Sequence, residues 1–240
     1  MTRFLMYNKL QDCTLTPSTA NELYPVENLY SFRRAEQFRF TGNTSENLVI
    51  FKGGLSFDSI VIDSHNLTSS ATVKIQANAS DSWTSPTVDI TATVADVISY
   101  VWASVQSYDY VRILIEDPTN TAPIRLGIVF LAEAQRFKIR DGFITPYQPL
   151  GKAAFRSLDV SMPYVDNQPE LQTFFERVAG TIFLSNTRQQ FGTSPPFYTI
   201  LDEDCTSFPP LFGVLTGPVQ RTKIQAHDAY DVSIQIEEVN

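Results

Sequence analysis

The chain has 240 residues, 18% of them charged and 43% hydrophobic, with a net charge of −8. The acidic balance argues against a nucleic-acid binder, which needs clustered Lys and Arg to replace counterions on phosphate, and against a basic helix lying on a membrane. Apolar runs such as Ile128-Val129-Phe130-Leu131-Ala132 fall far short of the roughly 20 residues that cross a bilayer, and the start at Met1–Asn8 lacks the long apolar stretch of a secretory signal.

In chain order, Leu48–Phe51 reads as a short strand that ends at Lys52-Gly53-Gly54, a turn signal. Ser59–Asp63 is a β-branched run bounded by Asp58 and by Ser64-His65-Asn66. Across Ala71–Ala77, Val73 and Ile75 alternate with polar residues, the period of a half-buried strand. Asn78–Ser82 reads as a loop, and Thr87–Ile90 resumes the alternation. Val94, Val97, Ile98, Val101, Trp102 and Val105 lie at helical spacing, yet the segment is rich in β-branched and aromatic residues. Strand and loop are therefore expected there. Tyr110–Glu116 is the strongest strand, stopped by the turn Asp117-Pro118-Thr119-Asn120, and Ile124–Leu131 follows as another. Strands so spaced, separated by Ser/Thr/Asn turns, indicate a sandwich or jelly roll.

Composition shifts at Asp141–Gly151, where two prolines and two glycines suggest a linker. Beyond it, Phe155–Met162 alternates like a strand. Gln168–Val178 is the one good helix pattern, with Pro169 and Glu170 suited to its first turn and Gly180 to its end. Thr181–Leu184, Phe197–Leu201, Leu211–Leu215 and Tyr230–Glu237 give further strands. The expected fold is mainly β: a jelly-roll domain over 1–140, a linker over 141–151, and a smaller β-rich domain with one helix over 152–240.

Chemistry is harder to find. Cys13 and Cys205 are far apart in sequence and read as reduced, partly buried thiols of a protein folded in a cytosol. His65 and His227 cannot build a zinc site of ordinary spacing. No nucleophile elbow and no phosphate-cradling glycine loop occurs. The string Asp63-Ser64-His65 reads as a turn between strands. Asp202-Glu203-Asp204 has the oxygen ligands calcium takes, but reads better as a solvated loop. Glu116-Asp117 fits a rim salt bridge with Arg112 or Arg125 better than half of a glycosidase pair. Arg33, Arg34 and Arg39 are interrupted by Glu36 and flanked by Phe32, Phe38 and Phe40, which fits an edge segment with buried aromatics better than an anion site. Neither catalysis nor a cofactor or metal is expected.

Aromatic residues make up 12% of the chain. Trp83 sits in the polar loop Asp81-Ser82-Trp83-Thr84-Ser85. An indole at the end of a sandwich can stack on a sugar ring or close the core. Asp81, Trp83 and Tyr108 form the candidate glycan-contact set.

The strings Ser59–Asp63, Ala71–Gln76, Ser82-Trp83 and Tyr110–Ile115 follow one another as in a discoidin-like galactose-binding jelly roll, which residues 26–135 resemble. A wider resemblance is to tail-tip virion proteins of long-tailed bacteriophages, of the distal-tail or baseplate type, which combine such a jelly roll with a C-terminal β domain. It is carried by Pro25–Leu29, Ser64–Val73, Ile115–Asn120, Ile124–Leu131 and Val232–Val239, and departs at Ala132-Glu133, where a Gly would be expected after Leu131. That resemblance implies a structural protein of the virion, made in the bacterial cytoplasm. Its expected partners are copies of itself in a ring, a hexamer by analogy, together with tail-tube and tail-hub proteins. The alternative is a carbohydrate-binding module for host-surface glycans. Low surface charge suits an assembly subunit, because burying it desolvates few ions.

Overall fold

The computed structural model describes residues 2–137, 144–145, 157–165, 196–200, 209–215, 220–223 and 229–239. The expected helix at 168–178, the strand at 181–184, the acidic run at 202–204, His227, Cys205 and most of the expected linker lie outside these residues. Two compact units are present: residues 7–134, and residues 1–6 with 135–239. The expected boundaries were 1–140 and 152–240.

Strand β1 (Thr2–Leu5) opens the chain and belongs to the second unit. The first unit carries β2 (Thr14–Pro17), β3 (Phe38–Arg39), β4 (Ser45–Asp63), β5 (Thr72–Asn78), β6 (Val88–Ala92), β7 (Val97–Glu116), β8 (Arg125–Leu126) and β9 (Ile128–Ala132). Its main sheet runs β2-β4-β7-β5-β6, with β9 on β4, and β3 pairs with β8 separately.

The two long strands β4 and β7 build both layers of a sandwich. Ser45–Phe51 pairs with Tyr110–Glu116, and after two register shifts Ser59–Asp63 pairs with Val97–Val101. The first shift lies between Phe51 and Leu55, the second between Phe57 and Ser59. Such bulges bend a strand without ending it. The expected turn at Lys52-Gly53-Gly54 is thus corrected: it is the bend inside one strand of 19 residues. Gly54 supplies the left-handed backbone, with φ at +66°, and its N–H donates to Asp109 Oδ1 at 2.7 Å. The segment of ambiguous period forms the first half of β7, as strand.

Inward residues of both halves share one core. Leu48, Ile50, Ile113 and Ile115 come from one layer, Ile60, Ile62, Val129 and Leu131 from the other. Trp102 closes this core edge-on to Phe57, with ring centroids 5.2 Å apart. Side chains alternate across each strand, so what is not core on β5 and on the last half of β7 faces outward.

Strand β9 is buried along its whole length and, among the described residues, pairs with β4 alone. Asn8 takes the place of a second strand partner. Its Nδ2 donates to the Val129 carbonyl at 2.8 Å, and its Oδ1 accepts from the N–H groups of Leu131 and Leu10, both at 3.1 Å.

The second unit holds β1 with β10 (Gln135–Phe137), β11 (Ile144–Thr145), β12 (Ser157–Val165), β13 (Phe197–Ile200), β14 (Leu211–Leu215), β15 (Gln220–Lys223) and β16 (Ala229–Glu238). The described strands form one antiparallel sheet in the order β10-β1-β13-β14-β16-β12-β11, with β15 on β16. Residues 2–5, expected within the jelly roll, pair here with β10 and β13. Phe4, Phe197, Tyr198 and Phe212 are fully buried, and the rings of Tyr198 and Phe212 lie 4.8 Å apart. The fold is mainly β in both units.

Candidate functional site on the outer sheet face

The outward residues of β6, β5, β7, β4 and β2 line up in rows across the strands. One row runs Asp89–Gln76–Arg112–Val49–Thr16 and a neighbouring row Asn78–Tyr110–Phe51–Thr14. Alternation places them there, because Ile75, Ala77, Val111 and Ile113 between them point into the core.

Gln76 sits at the centre of the first row and is only 3% exposed. Its Oε1 accepts from Arg112 Nε at 2.7 Å, and its Nε2 donates to Asp89 Oδ1 at 3.1 Å. One neutral amide therefore satisfies a cation and an anion on either side, and fixes the plane of the guanidinium. Trp83 lies on that plane, its ring centroid 4.6 Å from Arg112 Cζ, a cation–π contact. The indole N–H donates to Asp81 Oδ1 at 2.6 Å. The ring is thereby held at one edge and on one face while remaining partly exposed.

The loop that carries Trp83 is shaped by Asn78. Its Nδ2 donates to the Ser82 carbonyl at 2.7 Å, and its Oδ1 accepts from Ala79 N–H at 3.0 Å and from Thr87 Oγ1 at 3.1 Å. These bonds turn the loop back from the end of β5. Burial lowers the Arg112 guanidinium from its ordinary value, and the carboxylates of Asp89 and Asp81 act in the opposite direction. An arginine stays protonated regardless, so the cluster offers one cation, two carboxylates and an aromatic face.

Of the candidate glycan contacts, the structure joins Asp81 and Trp83 directly. Tyr108 stands opposite Leu55 on β7 and packs against the core cluster. The residues not singled out from sequence are Gln76, Asp89 and Arg112. Alternation around Val73 and Ile75 marks Gln76 as outward, but only the strand register shows that Asp89 and Arg112 flank it.

The other candidates serve the scaffold. His65 uses both ring nitrogens: Nε2 contacts the Ala95 carbonyl at 2.8 Å, and Nδ1 accepts from Leu67 N–H at 3.2 Å. The expected rim salt bridge of Glu116-Asp117 with Arg112 or Arg125 is corrected on the Asp117 side, since that carboxylate is fully buried. It accepts from Thr68 Oγ1 at 2.6 Å and Thr68 N–H at 2.8 Å, while Arg112 turns to Gln76. Burial raises the Asp117 carboxyl, but the bonds from Thr68 and Thr119 outweigh it and hold the group below the usual range. Each arginine of the basic cluster has a partner: Arg33 pairs with Glu36 at 2.8 Å, Arg34 with Asp63 at 2.9 Å, and Arg39 lies 3.7 Å from the Tyr24 ring centroid. Phe38 and Phe40 are buried beside them. The Cys13 thiol donates to the Lys9 carbonyl at 3.1 Å and is pushed up to about 11 by burial. Among the described residues, no group of three or more His, Cys, Asp or Glu side chains could hold a metal ion, and no helix is long and apolar enough to cross a membrane.

No family model matches the sequence, and no curated protein matches it. Solved structures with a similar backbone include the family 32 carbohydrate-binding module of NanJ from C. perfringens in complex with galactose, at 10% identity and a TM-score of 0.42, covering 55% of this chain and 100% of that one. Another is chitosan-binding module 1 of a chitosanase/glucanase from Paenibacillus sp. IK-5, at 12% identity and a TM-score of 0.42, covering 52% and 98%. A third is the Ruminococcus gnavus GH29 fucosidase E1_10125 in complex with fucose, at 13% identity and a TM-score of 0.44, covering 53% of this chain. The chain spans 27% of the length of that fucosidase and 28% of SpGH29.

Proposed function

We propose that residues 7–134 form a carbohydrate-binding module, with Trp83 as the platform for one sugar ring. The observation that carries this is the way Trp83 is held, with Asp81 on its N–H and Arg112 on its ring. A sugar ring has an apolar face and a rim of hydroxyls that both donate and accept. The indole matches the face, the carboxylates of Asp81 and Asp89 accept from hydroxyls, and Arg112 donates to them. Few polar groups placed around an apolar surface are what fix a small ligand's orientation. Two carboxylates beside one guanidinium favour a neutral sugar over an anionic one. The test is a glycan array probed with the whole chain. The parent binds neutral glycans, and Trp83→Ala abolishes binding while melting at the parent temperature. A blank array for the parent removes the reading.

A second reading is a structural subunit of a bacteriophage tail tip, assembling as a ring with copies of itself and joining tube to hub. It is favoured by the low charge, 18% of residues, which lets a surface be covered by neighbours while few ions are desolvated. Mass photometry and electron microscopy at rising concentration test it: rings support it, and monomers that never assemble with tube or hub proteins sink it. Host-glycan contact and ring assembly are compatible in one chain.

A further inference from the structure

We infer that the site extends across the strands to a second sugar position at Phe51 and Tyr110, so that its ligand is a neutral oligosaccharide rather than a single terminal sugar. This rests on the carbohydrate reading above. Phe51 and Tyr110 are direct cross-strand partners in the row beside Arg112. Their rings lie 4.7 Å apart with an interplanar angle of 36°. Phe51 is 40% exposed, an apolar side chain left at the surface beside polar neighbours.

Position fixes the relation to Trp83. Tyr110 and Arg112 are two residues apart on one strand and so project from the same face, about 7 Å apart along it. Trp83 lies on Arg112, so the two aromatic stations occupy neighbouring rows of the same sheet face. Beside them is a group that matches a sugar hydroxyl, the hydroxyl of Thr14 opposite Phe51. The charges on this face are mixed, with Asp89 in the row of Arg112 and Lys74 two residues before Gln76 on β5, which suits a neutral chain. A protein partner would be expected to cover a larger apolar area, and an anionic polymer to meet a basic stripe.

The stations make separable predictions. Calorimetric titration of the whole chain uses ladders of β-linked glucose, galactose and N-acetylglucosamine, from monosaccharide to hexasaccharide. Affinity for the bound ladder rises roughly tenfold from monosaccharide to trisaccharide, the scale of one added aromatic contact. Phe51→Ala and Tyr110→Ala remove that rise and leave monosaccharide affinity within about twofold, whereas Trp83→Ala loses both. Parent affinity that does not change with chain length overturns the second station but leaves the Trp83 reading standing. Binding to no ladder, together with a blank array, overturns both. Light scattering runs alongside: a dimer of the parent that Phe51→Ala dissociates assigns this face to a second copy and overturns the inference. Circular dichroism confirms that each variant is folded, and should the alanine variant not fold, Phe51→Ser repeats the titration.

Discussion

Gln76→Ala tests how the site is organised. The change removes the acceptor of Arg112 Nε at 2.7 Å and the donor to Asp89 at 3.1 Å, from a residue only 3% exposed. A hydrogen bond to a charged group contributes about 1.5–3 kcal/mol when well shielded. Arg112 and Asp89 keep access to water, which recovers part of each bond. The expected loss is therefore about 2 kcal/mol, a fall in Tm of roughly 5–10 °C for a unit of this size. Urea denaturation followed by circular dichroism at neutral pH measures it. Gln76→Glu is the control: it keeps an acceptor for Arg112 but sets a buried carboxylate against Asp89, and is expected to lose at least as much. With Arg112 released from its plane, Trp83 loses support on one face, so Gln76→Ala also weakens glycan binding. A variant within about 0.5 kcal/mol of the parent, binding glycan equally well, would show that the amide does not organise the cluster.

Two further predictions concern the scaffold. Asn8→Ala leaves three backbone groups of the β9 edge and the adjoining turn without their partner, and is expected to cost about 3–5 kcal/mol, read as a lower urea midpoint at unchanged slope. Asp117 adds acid sensitivity. Its carboxyl is held below the unfolded value of about 3.9, so its contribution is present above about pH 4 and is lost as pH falls through the folded value. The stability gap between the parent and Asp117→Asn, from denaturation curves at a series of pH values, is widest near neutrality and narrows below about pH 4; a constant gap across that range would remove the assignment.

The sequence alone carried the local periods of the strands. Alternation at Val73 and Ile75 marked β5, the β-branched content of the segment around Val97–Val101 outweighed its helical spacing, and Asp117-Pro118 ended β7 where expected. Local signals failed where the deciding partner was distant. Gly53-Gly54 has the chemistry of a turn, yet β7 pairs with β4 on both sides of it, so the chain bends and continues. Residues 2–5 have no local mark of the unit they join, because β10 and β13 that pair with them come from sequence more than a hundred residues away. The candidate site shows the same division. Trp83 and Asp81 are two positions apart and were legible together. Gln76, Asp89 and Arg112 lie on three different strands, and each alone is an ordinary outward polar residue. A period of two fixes which face a side chain takes, but not which neighbours it meets. Register across β6, β5 and β7 decides that, and register is a property of the folded sheet. Composition and strand period therefore set the class of molecule, a charge-poor β protein, and the tertiary structure decided which of its aromatic and polar groups meet on one face.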